Sequence, residues 1–169
     1  YHNLKHTERV VKSTKELTDV HDLDNEDKEI LLLAAWLHDT GYTKGTENHE
    51  ESSCTIASEF LNQEGYPDSK IKKVTDCIRA TKRFYQPQNL QEQIIRDADS
   101  SHFGQNSYQE TADYLREELS LLGIKKYSNK EWRNANIEMF KTEHQYYTNY
   151  AIEKWQIGKE KNLKRLIKV

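Results

Sequence analysis

Proline and glycine are scarce in this sequence, 2 and 6 of 169 residues, and long stretches carry neither. A β-sandwich or barrel needs many turns, so the scarcity argues against an all-β fold and favours helices. Hydrophobic runs are short as well. None approaches the roughly 18 residues that span a bilayer, so no membrane segment is expected. Cysteine occurs only twice, at Cys54 and Cys77, each among apolar neighbours at helical spacing. Two such residues make no disulfide framework, and a reducing, cytoplasmic location is expected. Neither sign of charge dominates: 25 basic residues stand against 28 acidic, a net charge of −3. Composition thus supplies no cationic field for a nucleic-acid duplex. Aromatic residues are plentiful by contrast, and 10 Tyr, 4 Phe and 3 Trp can anchor a core, which disfavours disorder.

The spacing of apolar residues predicts helices over 3–19, about 25–38, 49–64, 68–81, 91–101, 107–122, 129–141 and 143–165, with a loop at 83–90 around Pro87. The second is expected to start at an Asn25 cap. Its stretch from Ile30 to Leu37 is apolar on every face, which places it in the middle of a domain. It ends at His38-Asp39-Thr40-Gly41, with Gly41 read as a C-terminal cap. No repeat, low-complexity run or composition break divides the chain. The expectation is one all-α domain over 1–169, with a metal-site region at 1–105 and additional C-terminal helices at 106–169.

Histidines and carboxylates gather around those helix ends. His38 and Asp39 terminate the most apolar helix, where a buried polar pair needs a partner. Neutral imidazole with carboxylate suits a divalent metal such as zinc, manganese, iron or cobalt. The plainer alternative is a helix ending at the surface, with His38 near the negative end of the dipole. His2 and His6 stand at i and i+4, one face of a helix if the helix includes both. Asp97 and Asp99 close the fifth helix, and at i, i+2 they point in different directions, so at most one would be a direct ligand. His49, followed by Glu50 and Glu51, opens the third helix, where such acids are ordinary first-turn residues. His21, His102 and His144 take plainer readings, and Tyr146, Tyr147, Tyr150 and Trp155 read as packing for the last helix.

Taken in order, Tyr1-His2-Asn3-Leu4-Lys5-His6, Leu33 to Tyr42 with His38-Asp39, His49-Glu50-Glu51-Ser52-Ser53, Ala80-Thr81-Lys82 and Asp97-Ala98-Asp99 resemble the HD superfamily of metal-dependent phosphohydrolases. The resemblance covers residues 1 to about 105. It implies an HD-type helical bundle with a divalent metal (Mn, Fe, Ni, Co, Zn or Mg) held by His6, His38, Asp39 and Asp99. Asp99 is preferred to Asp97 because the family's last ligand usually follows a small residue, here Ala98. The Tyr-His-Asn-x-x-His opening is similar to that of the cyclic-nucleotide phosphodiesterases, which gives His2 the role of proton donor to the leaving oxygen. His49 would contact phosphate or a second metal. Some relatives carry a further histidine where Arg83 follows Lys82 here, a departure that favours a single tightly bound ion.

The implied activity is hydrolysis of a phosphoester or phosphoanhydride of a nucleotide or similar small molecule. Asp99 or Asp97 would accept the proton of the attacking water, His2 or His49 would donate to the leaving group, and Lys82 would hold the phosphate. Homodimer formation stays open. A different function class also fits: a nucleotide-binding or sensor module with little turnover, part of a longer bacterial signalling or defence protein. HD domains are often joined to signalling domains, and the basic tail Lys154–Val169 could lead into another segment.

Overall fold

The structure, a computed structural model, describes residues 1–168; Val169, the last residue of the basic tail, lies outside the described residues. Among the described residues there are nine α-helices and no strand, which meets the expectation of an all-α fold. They are α1 (Leu4–Val20), α2 (Asn25–Leu37), α3 (His49–Gln63), α4 (Asp68–Ala80), α5 (Leu90–Asp99), α6 (Tyr108–Leu121), α7 (Asn129–Glu138), α8 (Asn149–Lys154) and α9 (Gln156–Lys168). No helix of the described residues is long and apolar enough to cross a membrane. The chain divides into two compact units, one spanning His2–Ser100 and the other comprising Tyr1 with the chain from Ser101 onward.

In the first unit α2 is the hub, packing against α1, α3, α4 and α5. Ile30, Leu31, Ala34 and Ala35 of α2 are buried, as are Val10 and Leu17 of α1, Val74 and Ile78 of α4, and Ile94 and Ile95 of α5. Each fully buried Leu or Ile among them contributes about 1.5–3 kcal/mol by leaving water. An apolar run on every face does not mean burial on every face, however, since Trp36 stays 47% exposed. Asp24, not Asn25, caps α2, its carboxylate accepting from Asp27 N at 2.8 Å. Gly41 does not cap the helix either. It sits buried in the tight turn Thr40–Thr43, where a Cβ would stand 1.9 Å from the His49 carbonyl oxygen, so its role is close approach to α3.

Cys54 and Cys77 are both free and buried, each 3% exposed. Burial pushes the Cys54 thiol up to about 11 and the Cys77 thiol up to about 12. The thiolate is the reactive form. At pH 8 a thiol reagent is therefore expected to label neither residue in the native chain and both after denaturation; rapid native labelling in a mass-spectrometric time course would contradict this burial.

The second unit has its own core of Tyr108, Ala112, Trp132, Phe140 and Leu166, with Phe103, Leu115 and Leu163 packed on it. Its α7 opens on a reciprocal capping box between Ser128 and Glu131. The single helix expected over 143–165 starts only at Asn149 and is divided at Trp155 into α8 and α9. A wide turn at Met139–Glu143 closes with His144 N donating to Met139 O, and His144 itself is extended. Thr148 then restarts the helix by accepting from Ala151 N at 3.3 Å. The His144 carbonyl left outside a helix accepts from Lys159 Nζ at 2.5 Å. Apolar spacing does not mark where such a break falls, which is why periodicity alone puts the helix start six residues early.

Candidate metal centre

The start of α1 is set by Asn3, whose side chain accepts from His6 N at 3.1 Å. That cap aims His6 inward from the first turn, leaving it 2% exposed. His2 lies before the cap, so the helix-face reading of the His2/His6 pair is corrected: only His6 is helical. Their rings nevertheless lie 6.0 Å apart, brought together by the extended backbone of Asn3. His38 ends α2 and is 1% exposed, its Nδ1 bonded at 2.9 Å to the Ala35 carbonyl. That carbonyl can only accept, so Nδ1 carries a proton and Nε2 is the nitrogen turned to the site.

Four groups from three helices meet at this point. His6 Nε2 lies 3.1 Å from His38 Nε2, 3.0 Å from Asp39 Oδ2 and 3.3 Å from Asp99 Oδ1. His38 Nε2 lies 3.2 Å from Asp39 Oδ2 and 3.7 Å from Asp99 Oδ1. His6, His38 and Asp39 each offer a ligand atom, all within 4.8 Å of one another. Asp39 Oδ2 is buried, yet it accepts no well-directed hydrogen bond. The two carboxylates are the open side of the cluster, at 14% and 28% exposure. Asp97, the alternative carboxylate, is fully buried on α5.

The electrostatics follow from this crowding. Burial alone would lower both histidine pKa values; contact with Asp39, and the nearby Asp99 charge, outweigh it, so His6 is raised and His38 is raised to about 9. Burial likewise pushes the carboxyls up, but the histidines overcome it, holding Asp39 well below the usual range and Asp99 at about 2. Two part-buried carboxylates thus call for positive charge in their midst. The imidazoles supply it by taking protons, or a divalent cation supplies it while the imidazoles offer lone pairs. The donor set, two imidazole nitrogens with carboxylate oxygens, fits zinc, manganese, iron or cobalt.

The surrounding residues divide into those at the cluster and those away from it. His49 Nε2 is 3.9 Å from Asp39 Oδ1 and 3.5 Å from Glu50 Oε1. Glu50, read from sequence as a first-turn acid, is buried at 7% exposure beside that imidazole, whereas Glu51 pairs with Arg79 at 3.1 Å. Arg9 Nη2 lies 2.6 Å from His6 Nδ1, and the Tyr42 ring stacks with His2 and His49. Sequence reasoning passed over Arg9 and Tyr42, although Arg9 stands one turn after His6 and Tyr42 three residues after Asp39. Lys82 is not drawn to the cluster by any hydrogen bond or ion pair among the described residues. It is exposed just beyond α4, and its carbonyl accepts from Arg96 Nη1 at 2.8 Å. His102 and His144 belong to the second unit, where each packs against Phe103.

A family model described as the HD domain matches residues 3–104. The crystal structure of a predicted HD superfamily hydrolase from an uncultured Thermotogales bacterium is similar over 99% of this chain and 81% of that one, with a TM-score of 0.60 and 19% sequence identity. At that identity the likeness shows the fold. No curated protein matches the chain. The family match runs from α1 through α5, the same span that brings His6, His38, Asp39 and Asp99 together, and the chain belongs to the HD domain family of metal-dependent hydrolases.

Proposed function

We propose that this chain is a phosphohydrolase that cleaves a phosphoester or phosphoanhydride bond in a nucleotide or a similar small phosphorylated molecule. The observation that supports it is the convergence of two buried imidazoles and two carboxylates, with His6 Nε2 within 3.3 Å of both Asp39 and Asp99. His6, His38, Asp39 and Asp99 would hold one divalent ion. Such an ion, when bound, makes water a nucleophile near neutral pH and draws charge from a phosphoryl oxygen.

The chain's own residues divide the remaining work. Asp99, the more open carboxylate, would accept the proton of the attacking water, with Asp97 the alternative. His2 and His49, half-buried beside the cluster, are the donors to the departing oxygen. Lys82 is assigned to the substrate phosphate on the resemblance alone. His2→Ala is expected to keep its metal while kcat falls by about 10²–10⁴, the usual contribution of a positioned acid. Unchanged kcat in that variant would remove His2 from the reaction.

The test is elemental analysis of the purified protein, followed by a screen of cyclic nucleotides, nucleotides and simple phosphodiesters with manganese, nickel, magnesium or zinc added. Stoichiometric metal with phosphoester cleavage supports the reading. Metal without cleavage of any substrate favours the sensor module, and no metal after reconstitution overturns both.

A further inference from the structure

We infer that Tyr42 is a positioning residue of this site: its ring is the shared packing partner that orients the imidazoles of His2 and His49. The inference rests on the reading of those two histidines as proton donors. The Tyr42 ring centroid is 3.9 Å from that of His2 at an interplanar angle of 23°, and 4.1 Å from that of His49 at 27°. The two imidazoles are farther from each other, 6.2 Å apart and tilted by 49°. Each is therefore stacked on the phenol ring rather than on the other imidazole, in near-parallel contact.

Both histidines occupy positions where backbone structure does little to aim a side chain. His2 precedes Asn3, the extended N-cap of α1, so no helical turn surrounds it. His49 is the first residue of α3, following Asn48 in a left-handed conformation at φ 49°. Its carboxylate neighbours stand at 3.5 and 3.9 Å, beyond the length of a strong hydrogen bond. For an imidazole so placed, a ring packed on its face is a direct restraint on its rotamer.

Tyr42, in contrast, belongs to a turn that is tied down at several points. Thr40 Oγ1 donates to Leu37 O at 2.7 Å, Thr43 Oγ1 donates to Thr40 O at 2.7 Å, and Gly41 N donates to Ser53 Oγ at 2.8 Å. The last of these fastens the turn to α3, where the absence of a Gly41 side chain permits the approach. Because Asp39 immediately precedes this turn, one short segment places both a carboxylate of the cluster and the ring that holds the two imidazoles. The argument concerns the ring, so phenylalanine should serve as well as tyrosine.

The test compares wild type with Tyr42→Phe and Tyr42→Leu in three measurements: metal content, kcat and KM on a cleaved phosphodiester, and the imidazole proton shifts of the metal-free chain. A stacked phenol ring displaces those shifts by its ring current. Tyr42→Phe is expected to keep the His2 and His49 shifts, with kcat within about twofold of wild type. Tyr42→Leu is expected to lose both displacements and to lower kcat about tenfold or more, with metal content intact and KM within about twofold. Wild-type imidazole shifts in Tyr42→Leu would overturn the inference, as would lost shifts with unchanged kcat. A Tyr42→Phe chain as impaired as Tyr42→Leu would also overturn it by assigning the role to the hydroxyl. If wild type carries metal and cleaves nothing, the phosphohydrolase reading fails, and the shifts still decide whether Tyr42 orients the two rings.

Discussion

His6→Ala and Asp39→Ala are each expected to yield a chain that retains no stoichiometric metal and shows no turnover. Groups that merely support metal ligands cost about 10–100-fold in affinity or activity when removed, so loss of a ligand should exceed 100-fold. The two variants should differ in what they leave behind. His6→Ala leaves Asp39 Oδ2 with His38 Nε2 at 3.2 Å, still a pair. Asp39→Ala leaves two histidines at 2% and 1% exposure without the carboxylate that raises their pKa values. With Asp99 the remaining carboxylate, burial is opposed less strongly, and both imidazoles should give up protons more readily. Shedding a proton relieves the uncompensated charge, so the added loss of stability in Asp39→Ala should be on the order of 1–3 kcal/mol rather than the full cost of an unpaired buried ion. Metal analysis, activity and histidine titration by NMR measure these together. Full metal and full turnover in His6→Ala would show that the ligand set is wrong.

The second large effect is in the other unit and concerns stability. A Cβ at Gly158 in α9 would stand 1.9 Å from the Gly104 carbonyl oxygen and 2.8 Å from the carbonyl carbon. That neighbour is backbone, and it is pinned: Asn162 Nδ2, one turn further along α9, donates to Phe103 O at 2.9 Å and to Gln105 O at 2.7 Å. The turn carrying Gly104 thus cannot withdraw without breaking those bonds. Alanine in place of glycine inside a helix ordinarily gains about 1 kcal/mol. Here the overlap opposes it, and overpacking typically costs about 1–3 kcal/mol, with more where the neighbour is fixed. Gly158→Ala is expected to be net destabilising, with a melting temperature several degrees lower at about 2–4 °C per kcal/mol for this chain length. An unchanged or higher melting temperature would mean that the helix and turn separate without cost.

Most helix positions in the first unit were legible because each helix hides one face and carries ordinary caps. The sequence also supplied the residues that meet at the cluster, though through the HD resemblance rather than through spacing. The helix-face argument for His2 and His6 failed, since Asn3 caps α1 between them and leaves His2 outside. Arg9, Tyr42 and Glu50 were not legible as site residues. An arginine in an amphipathic helix, a tyrosine after a turn and a glutamate in a first turn all have ordinary explanations, and only the packing of one element on another singles them out. The break expected between residues 141 and 143 falls instead at 144–148, a shift that was not legible for a related reason. It depends on Thr148 capping a new helix and on Lys159 satisfying the His144 carbonyl, neither of which alters the apolar period.

The bond from His38 Nδ1 to the Ala35 carbonyl has a consequence for the kinetics of ion capture. The Ala35 carbonyl lies in the last turn of α2, where a helix has run out of backbone donors. A bond that satisfies a helix end is made when the helix forms, so the His38 ring loses its rotamer freedom during folding and not when a ligand arrives. The His6 ring is held from its own helix too, its Nδ1 lying 2.6 Å from Arg9 Nη2 one turn on. Only the carboxylate side, and Asp99 above all, retains contact with solvent. If the cluster holds an ion as proposed, its arrival and departure are expected to be movements of one or two carboxylates against the fixed His38 ring, with an exchange rate sensitive to substitution at position 99.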